Sequence, residues 1–203
     1  MNEKFFTLPP EKRRRILNAA YQVFAENSYQ KAPMSEIAAA GGISKSLLFH
    51  YFGSKRELYL FLWENAVEHT RRAVRAERVL ETEDFFVMLE RSLRAKCGLM
   101  RRYPHLYAFS LRAYYEQDPA VGEAVRQSFA RAGSRSERLA LERLDRSRLR
   151  PDVEPHAMYT EILYAADGCM LRHYRAGPID PDRLEQEMQQ LLVLWKRLYE
   201  RQG

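Results

Sequence analysis

The run MSEIAAAGGISKSLLFHYFGSK, from Met34 to Lys55, constrains this chain more than any other stretch. It predicts two short helices joined by a glycine turn, then the start of a third. Ile37 and Ala38 face inward on the first helix. Gly41-Gly42 breaks that helix and permits the positive φ of a tight turn. Ser44 stands where its hydroxyl can accept an amide from the first turn of the next helix. That second helix carries Leu48 and Phe52 at i and i+4 on one apolar stripe, and Lys45, Ser46, Phe49, His50 and Tyr51 on its other faces. Ser54-Lys55-Arg56-Glu57 has the S-x-x-E pattern of a capping box. A short helix with cationic, hydroxyl and aromatic groups in its N-terminal half suits a DNA major groove. Lys45, Ser46 and, one turn on, His50 are expected at base edges or adjacent phosphates. Tyr51 and Lys55 are expected on the DNA backbone.

Charge agrees with this placement. Residues 1–56 hold nine Lys/Arg against four acids, which is most of the net charge of +6. A basic head on a nearly neutral remainder is an electrostatic footprint for nucleic acid. The cluster Lys12 to Arg15, by itself, would read as a solvated helix face.

From about Arg15 to Leu58 the chain closely resembles the DNA-binding domain of the TetR family of bacterial repressors. The resemblance lies in Ile16-Leu17, Ala19-Ala20, Phe24-Ala25, Ile37-Ala38, Gly42-Ile43-Ser44-Lys45, Leu48 through Phe52, and Ser54-Lys55. It implies an obligate dimer that reads a palindromic, double-stranded operator and responds to a small-molecule inducer. Three departures stand out. Asn27-Ser28 replaces a glycine at the end of helix 1, with Asn27 expected to take the left-handed cap. Ala32-Pro33 replaces the hydroxyl residue that opens helix 2, with Pro33 expected at the first helical position and Ser35 to supply the phosphate-binding hydroxyl. Phe49 stands where tyrosine is commonest.

The whole chain reads as all-α, about nine helices, divided into a DNA-binding head at 1–54 and a ligand-binding and dimerisation body at 55–203. Helix 1 is expected from Pro10 to Asn27 and helix 4 from Lys55 to Val79, joining head and body. Thr82 is the expected cap of helix 5, Pro104 and Pro119 open helices 6 and 7, Pro155 opens helix 8, and Asp180-Pro181 opens helix 9.

Helices 8 and 9 carry apolar groups on more than one face, Leu191 through Trp195 in succession. A two-fold dimer would pack this pair against its copy, with Met170, Leu191, Leu194 and Trp195 as anchors; the alternative is that both faces are internal. An aromatic and methionine set suggests a cavity for a mostly apolar ligand, lined by Phe85, Met88, Met100, Tyr107, Tyr114, Tyr159 and Tyr164. The alternative is a filled core.

Other classes find less support. His105 and His173 lie on apolar helices, but neither has a second ligand three or four residues further on, so no metal is expected. Phosphate-binding glycine loops, a nucleophile elbow and cysteine pairs are missing, so neither an enzyme nor a cofactor is expected. Cys97 and Cys169 read as buried small hydrophobes. The longest apolar runs are too short to span a bilayer and the first ten residues lack a signal pattern, so a soluble, cytoplasmic protein is expected. A DNA-binding accessory protein without an inducer, or a small helical enzyme or ligand carrier, are the alternatives.

Overall fold

Apolar stripes at helical spacing recur along the chain, and each becomes the buried side of a helix in the computed structural model, which describes residues 3–201. Among the described residues nine α-helices follow a short 3-10 turn at Glu3–Phe5: α1 (Pro10–Glu26), α2 (Met34–Gly41), α3 (Lys45–Phe52), α4 (Lys55–Ala76), α5 (Phe85–Arg102), α6 (Leu106–Tyr114), α7 (Gly122–Arg143), α8 (Pro155–Ala176) and α9 (Pro181–Tyr199). The all-α expectation holds.

Several ends differ from expectation for local reasons. Asn27 is extended (φ −126°), not left-handed; its amide and its side-chain Nδ2 both donate to the Val23 carbonyl. Pro33 precedes α2 rather than opening it, so Met34 is the first helical residue. Helix α4 stops at Ala76 because Arg78 adopts a left-handed φ of 53°. Asp84, not Thr82, caps α5: its Oδ1 accepts from the amides of Phe86 and Val87 at 2.9 and 3.1 Å. Helix α9 opens at Pro181 as expected, and Asp180 caps it, accepting from Asp182 and Arg183. Glu154 does the same for α8.

The chain forms two compact units. The first takes the chain up to Glu68 together with Tyr103–Ala130; the second takes His69–Arg102 with Arg131 onward. This does not follow the expected division after residue 54. The reason is aromatic packing in the first unit, where α6 lies on α1. Phe109 of α6 sits 5.4 Å from Tyr21 and 5.2 Å from Tyr59, ring centre to ring centre, and Phe24 meets Tyr59 edge-on at 4.9 Å. The Tyr21 hydroxyl reaches the Leu62 carbonyl and Asn65 Oδ1, and burial raises its phenol pKa well above the ordinary value. In the second unit α9 packs on α5 and α8. Its core gathers Phe85, Phe86, Leu144, Leu149, Met158, Ile162 and Trp195. Arg148 bridges Asp84 at 2.6 Å and Glu200 at 3.1 Å beside that core. Among the described residues no helix is long and apolar enough to cross a membrane.

Candidate nucleic-acid interface

The turn between α2 and α3 is built by backbone chemistry that the sequence dictates. Gly42 is left-handed (φ 68°), and Ile43 donates back to the Ala38 carbonyl at 3.0 Å. A Cβ on Gly42 would lie 2.4 Å from Nη2 of Arg15. That arginine crosses from α1, and its Nε donates to the Gly41 carbonyl at 3.0 Å, satisfying the C-terminal end of α2. Ser44 then caps α3, its Oγ accepting from the Leu47 amide at 3.1 Å.

Leu48 and Phe52 bury the inner stripe of α3 completely, as Ile37 and Ala38 do for α2, which packs on α3. Burying one stripe fixes what the helix shows on the other side. Ser44, Lys45, Ser46 and His50 are exposed there, Phe49 is half-buried, and Ser35 is exposed in the first turn of α2. No side chain caps α2.

Two expected contacts are placed differently. Tyr51 is buried, its ring 5.7 Å from Phe5. Phe5 comes from the N-terminal 3-10 turn and also meets Phe52 at 4.8 Å and Phe61 at 5.9 Å, so that turn backs α3. Lys55 directs its ammonium into the α1–α2 loop. Nζ donates to the carbonyls of Gln30 at 2.8 Å and Ala32 at 2.6 Å and lies 5.5 Å from the Tyr29 ring centre. Partial burial draws its pKa below the ordinary lysine value, and the Asp118 carboxylate opposes that fall. The same loop is also held by Glu116, whose Oε2 accepts from the Tyr29 amide at 2.8 Å. Arg13, Arg14 and Arg15 are similarly engaged, with the Phe6 carbonyl, Glu11 and the Gly41 carbonyl. Phe5, Arg15 and Glu116 support the head through contacts that the sequence signals only in the Phe5-Phe6 doublet.

The expected ligand set divides between the two units. Tyr107 and Tyr114 belong to the first; Phe85, Met88, Met100, Tyr159 and Tyr164 belong to the second. Phe85, Met88 and Met100 are buried along one side of α5, and Phe85 sits in the second unit's core 6.3 Å from the Tyr159 ring. Tyr164 is 70% exposed. Two open surface grooves occur, one edged by Glu137, Arg138, Leu141 and His156, the other by Lys12, Arg15, Asn18 and His105. Neither is lined by any of the seven.

Of the expected dimer anchors, Leu194 is 48% exposed, Met170 and Leu191 are half-buried, and Trp195 is 3% exposed. Trp195 is therefore a core residue of its own chain, not an anchor. Leu163, Tyr164, Val193 and Leu198 join Leu194 as large exposed apolar residues of α8 and α9.

One cluster was not expected. Cys169 and His173 of α8 and Glu187 of α9 each place a donor atom within 4.8 Å of the other two. Cys169 lies four residues before His173, a spacing that looking only onward from the histidine overlooks.

Residues 16–61 match the family model of bacterial regulatory proteins, tetR family. The chain is 31% identical over 126 residues to the HTH-type transcriptional activator FasR of Mycolicibacterium smegmatis, a match that spans 62% of this chain and 57% of that relative. It is 25% identical over 171 residues to the HTH-type transcriptional repressor AcnR of Corynebacterium glutamicum, spanning 81% of this chain and 82% of the relative. In fold it is similar to a TetR family transcriptional regulator from Chloroflexus aurantiacus, with a TM-score of 0.71, 20% identity and 99% of both chains covered.

Proposed function

We propose that this chain, whose residues 16–61 match the family model of bacterial regulatory proteins, tetR family, and whose fold is similar to that of such regulators, is a dimeric transcriptional regulator, a repressor, that binds a palindromic operator. The observation that carries this reading is the exposed row Ser44, Lys45, Ser46 and His50 on a helix whose opposite stripe is fully buried. Lys45 and Ser46 meet base edges or flanking phosphates at the start of α3, and His50 follows one turn later. Ser35 and the amides that open α2 take a backbone phosphate, since hydrogen-bond donors and the positive end of a helix both favour an anion. Ser44 uses its oxygen as a cap and keeps its hydroxyl proton for a phosphate.

Dimerisation through α8 and α9 is supported by the exposed Leu163, Tyr164, Val193, Leu194 and Leu198, an apolar set that water disfavours. Two heads held at one spacing then read two half-sites about one helical turn of DNA apart. The effector is a small, mostly apolar molecule taken up by the second unit, where Phe85, Met88 and Met100 are buried along one side of α5. Residues of α4 belong to both units, so a population shift in the second reaches the head through one continuous helix.

The test is fluorescence anisotropy with the intergenic DNA beside the gene. Saturable binding with a palindromic footprint, weakened by Lys45→Ala, is expected. Binding of equal strength to random duplex would overturn the reading.

A further inference from the structure

Cys169 and His173 are one turn apart on α8 and so project from one face. Both are buried, and Glu187 reaches them from α9, half-buried. The Glu187 carboxylate is divided in its duties. Its Oε1 pairs with the Arg172 guanidinium, and its Oε2 faces His173 Nε2 at 3.0 Å. Arg172 lies 4.0 Å from the Cys169 sulfur, on a side chain that is more than half exposed. An ion-pair network ties Arg172, Glu187 and His173 together, and the Cys169 sulfur joins it through hydrogen-bond contacts with Arg172 and Glu187.

A metal ion uses all three donors. We propose that Cys169, His173 and Glu187 bind one zinc-class divalent ion per chain, with water at the fourth position. Bond lengths of about 2.3 Å to sulfur and about 2.0 Å to nitrogen and oxygen place tetrahedral zinc ligands roughly 3.3–3.5 Å apart. The separations here, 3.0 Å between Nε2 and Oε2 and no more than 4.8 Å to the third donor, are within side-chain rotation of that value. A thiolate beside an imidazole disfavours magnesium and calcium, which take oxygen, and favours zinc. Arg172 orients the carboxylate from its outer oxygen, as partners of metal ligands commonly do. The bound ion clips α8 to α9 and belongs to neither the head nor its DNA contacts.

The full-length protein, stripped with chelator, is titrated with zinc against a chromophoric zinc indicator. One ion per chain with a submicromolar Kd is expected, and a zinc excess of about a hundredfold over Kd should raise Tm by roughly 5–10 °C. Cobalt should give a thiolate charge-transfer band that is lost in Cys169→Ser and kept in Cys97→Ser. Glu187→Gln should weaken binding at least tenfold, and it carries the test if Cys169→Ser fails to fold by circular dichroism. No binding below ten micromolar, or a cobalt band that depends on Cys97 instead of Cys169, would overturn the proposal.

Discussion

Lys55 tests whether the head is held from inside by a residue that its motif would assign to DNA. Replacing it with Met keeps most of the stem and removes both hydrogen bonds to the α1–α2 loop. A hydrogen bond to a charged group contributes about 1.5–3 kcal/mol. Gln30 is exposed, so its carbonyl regains water and that loss is small; Ala32 is buried, so its carbonyl is left poorly solvated and the loss is near the full value. The contact with the Tyr29 ring adds about 0.5 kcal/mol at a partly exposed site. The expected cost is about 2–3 kcal/mol in the first unit. With a urea slope of roughly 2–3 kcal/mol per molar, the midpoint should fall by about 1 M. Trp63 is buried in the first unit and Trp195 in the second, so Trp63 fluorescence in a Trp195→Phe background reports the head separately. The rival account, a phosphate contact, predicts an unchanged midpoint and a DNA-binding salt slope lower by about one. That pair of results would refute the loop-holding role.

Three further substitutions probe other levels of the structure. Leu194→Glu places a charge on the exposed apolar face of α8 and α9 and should weaken dimerisation by about 3 kcal/mol, more than a hundredfold in Kd, read by sedimentation equilibrium; an unchanged Kd would remove that face from the interface. Gly42→Ala forces a Cβ into a left-handed turn and toward Arg15, and should cost about 1–2 kcal/mol of head stability together with DNA affinity; urea titration and anisotropy check both. Glu154 accepts the His156 and Ala157 amides, which hold its carboxyl below the usual range. A depressed folded pKa means stability present above the unfolded value of about 4.3 and lost as pH falls through the folded one. Wild type and Glu154→Gln should therefore differ at pH 7 and draw together in urea midpoint as pH falls from about 4.3 through the depressed folded pKa; parallel curves would contradict the cap.

What could be read from the chain divides by sequence distance. The α2–α3 turn was legible because Gly42 and Ser44 act on their own neighbours. The cap at Ser44 and the start of α9 at Asp180-Pro181 were legible for the same reason. The loop contacts of Lys55 were not legible because its acceptors lie 25 and 23 residues away, across a loop that no local pattern reports. Glu116 reaches the Tyr29 amide from 87 residues away. Trp195 looked like an interface anchor because helical spacing in α9 gives apolar residues on several faces, and only packing separates the core-facing Trp195 from the outward Leu194. The Cys169–His173 half of the metal cluster was visible in the spacing, whereas Glu187 needed the second helix.

The packing of Phe109 between Tyr21 and Tyr59 bears on how such regulators can be rewired. Chimaeras that splice one protein's DNA specificity to another's sensor are naturally cut where the third helix ends. In this chain a cut there would strip α6 from α1 and leave Tyr21, Phe24 and the start of α4 facing water or an ill-fitting foreign helix. A transplantable reader here is a discontinuous graft: the first 68 residues must travel with residues 103–130, or with a recipient whose sixth helix offers an aromatic ring at the place of Phe109.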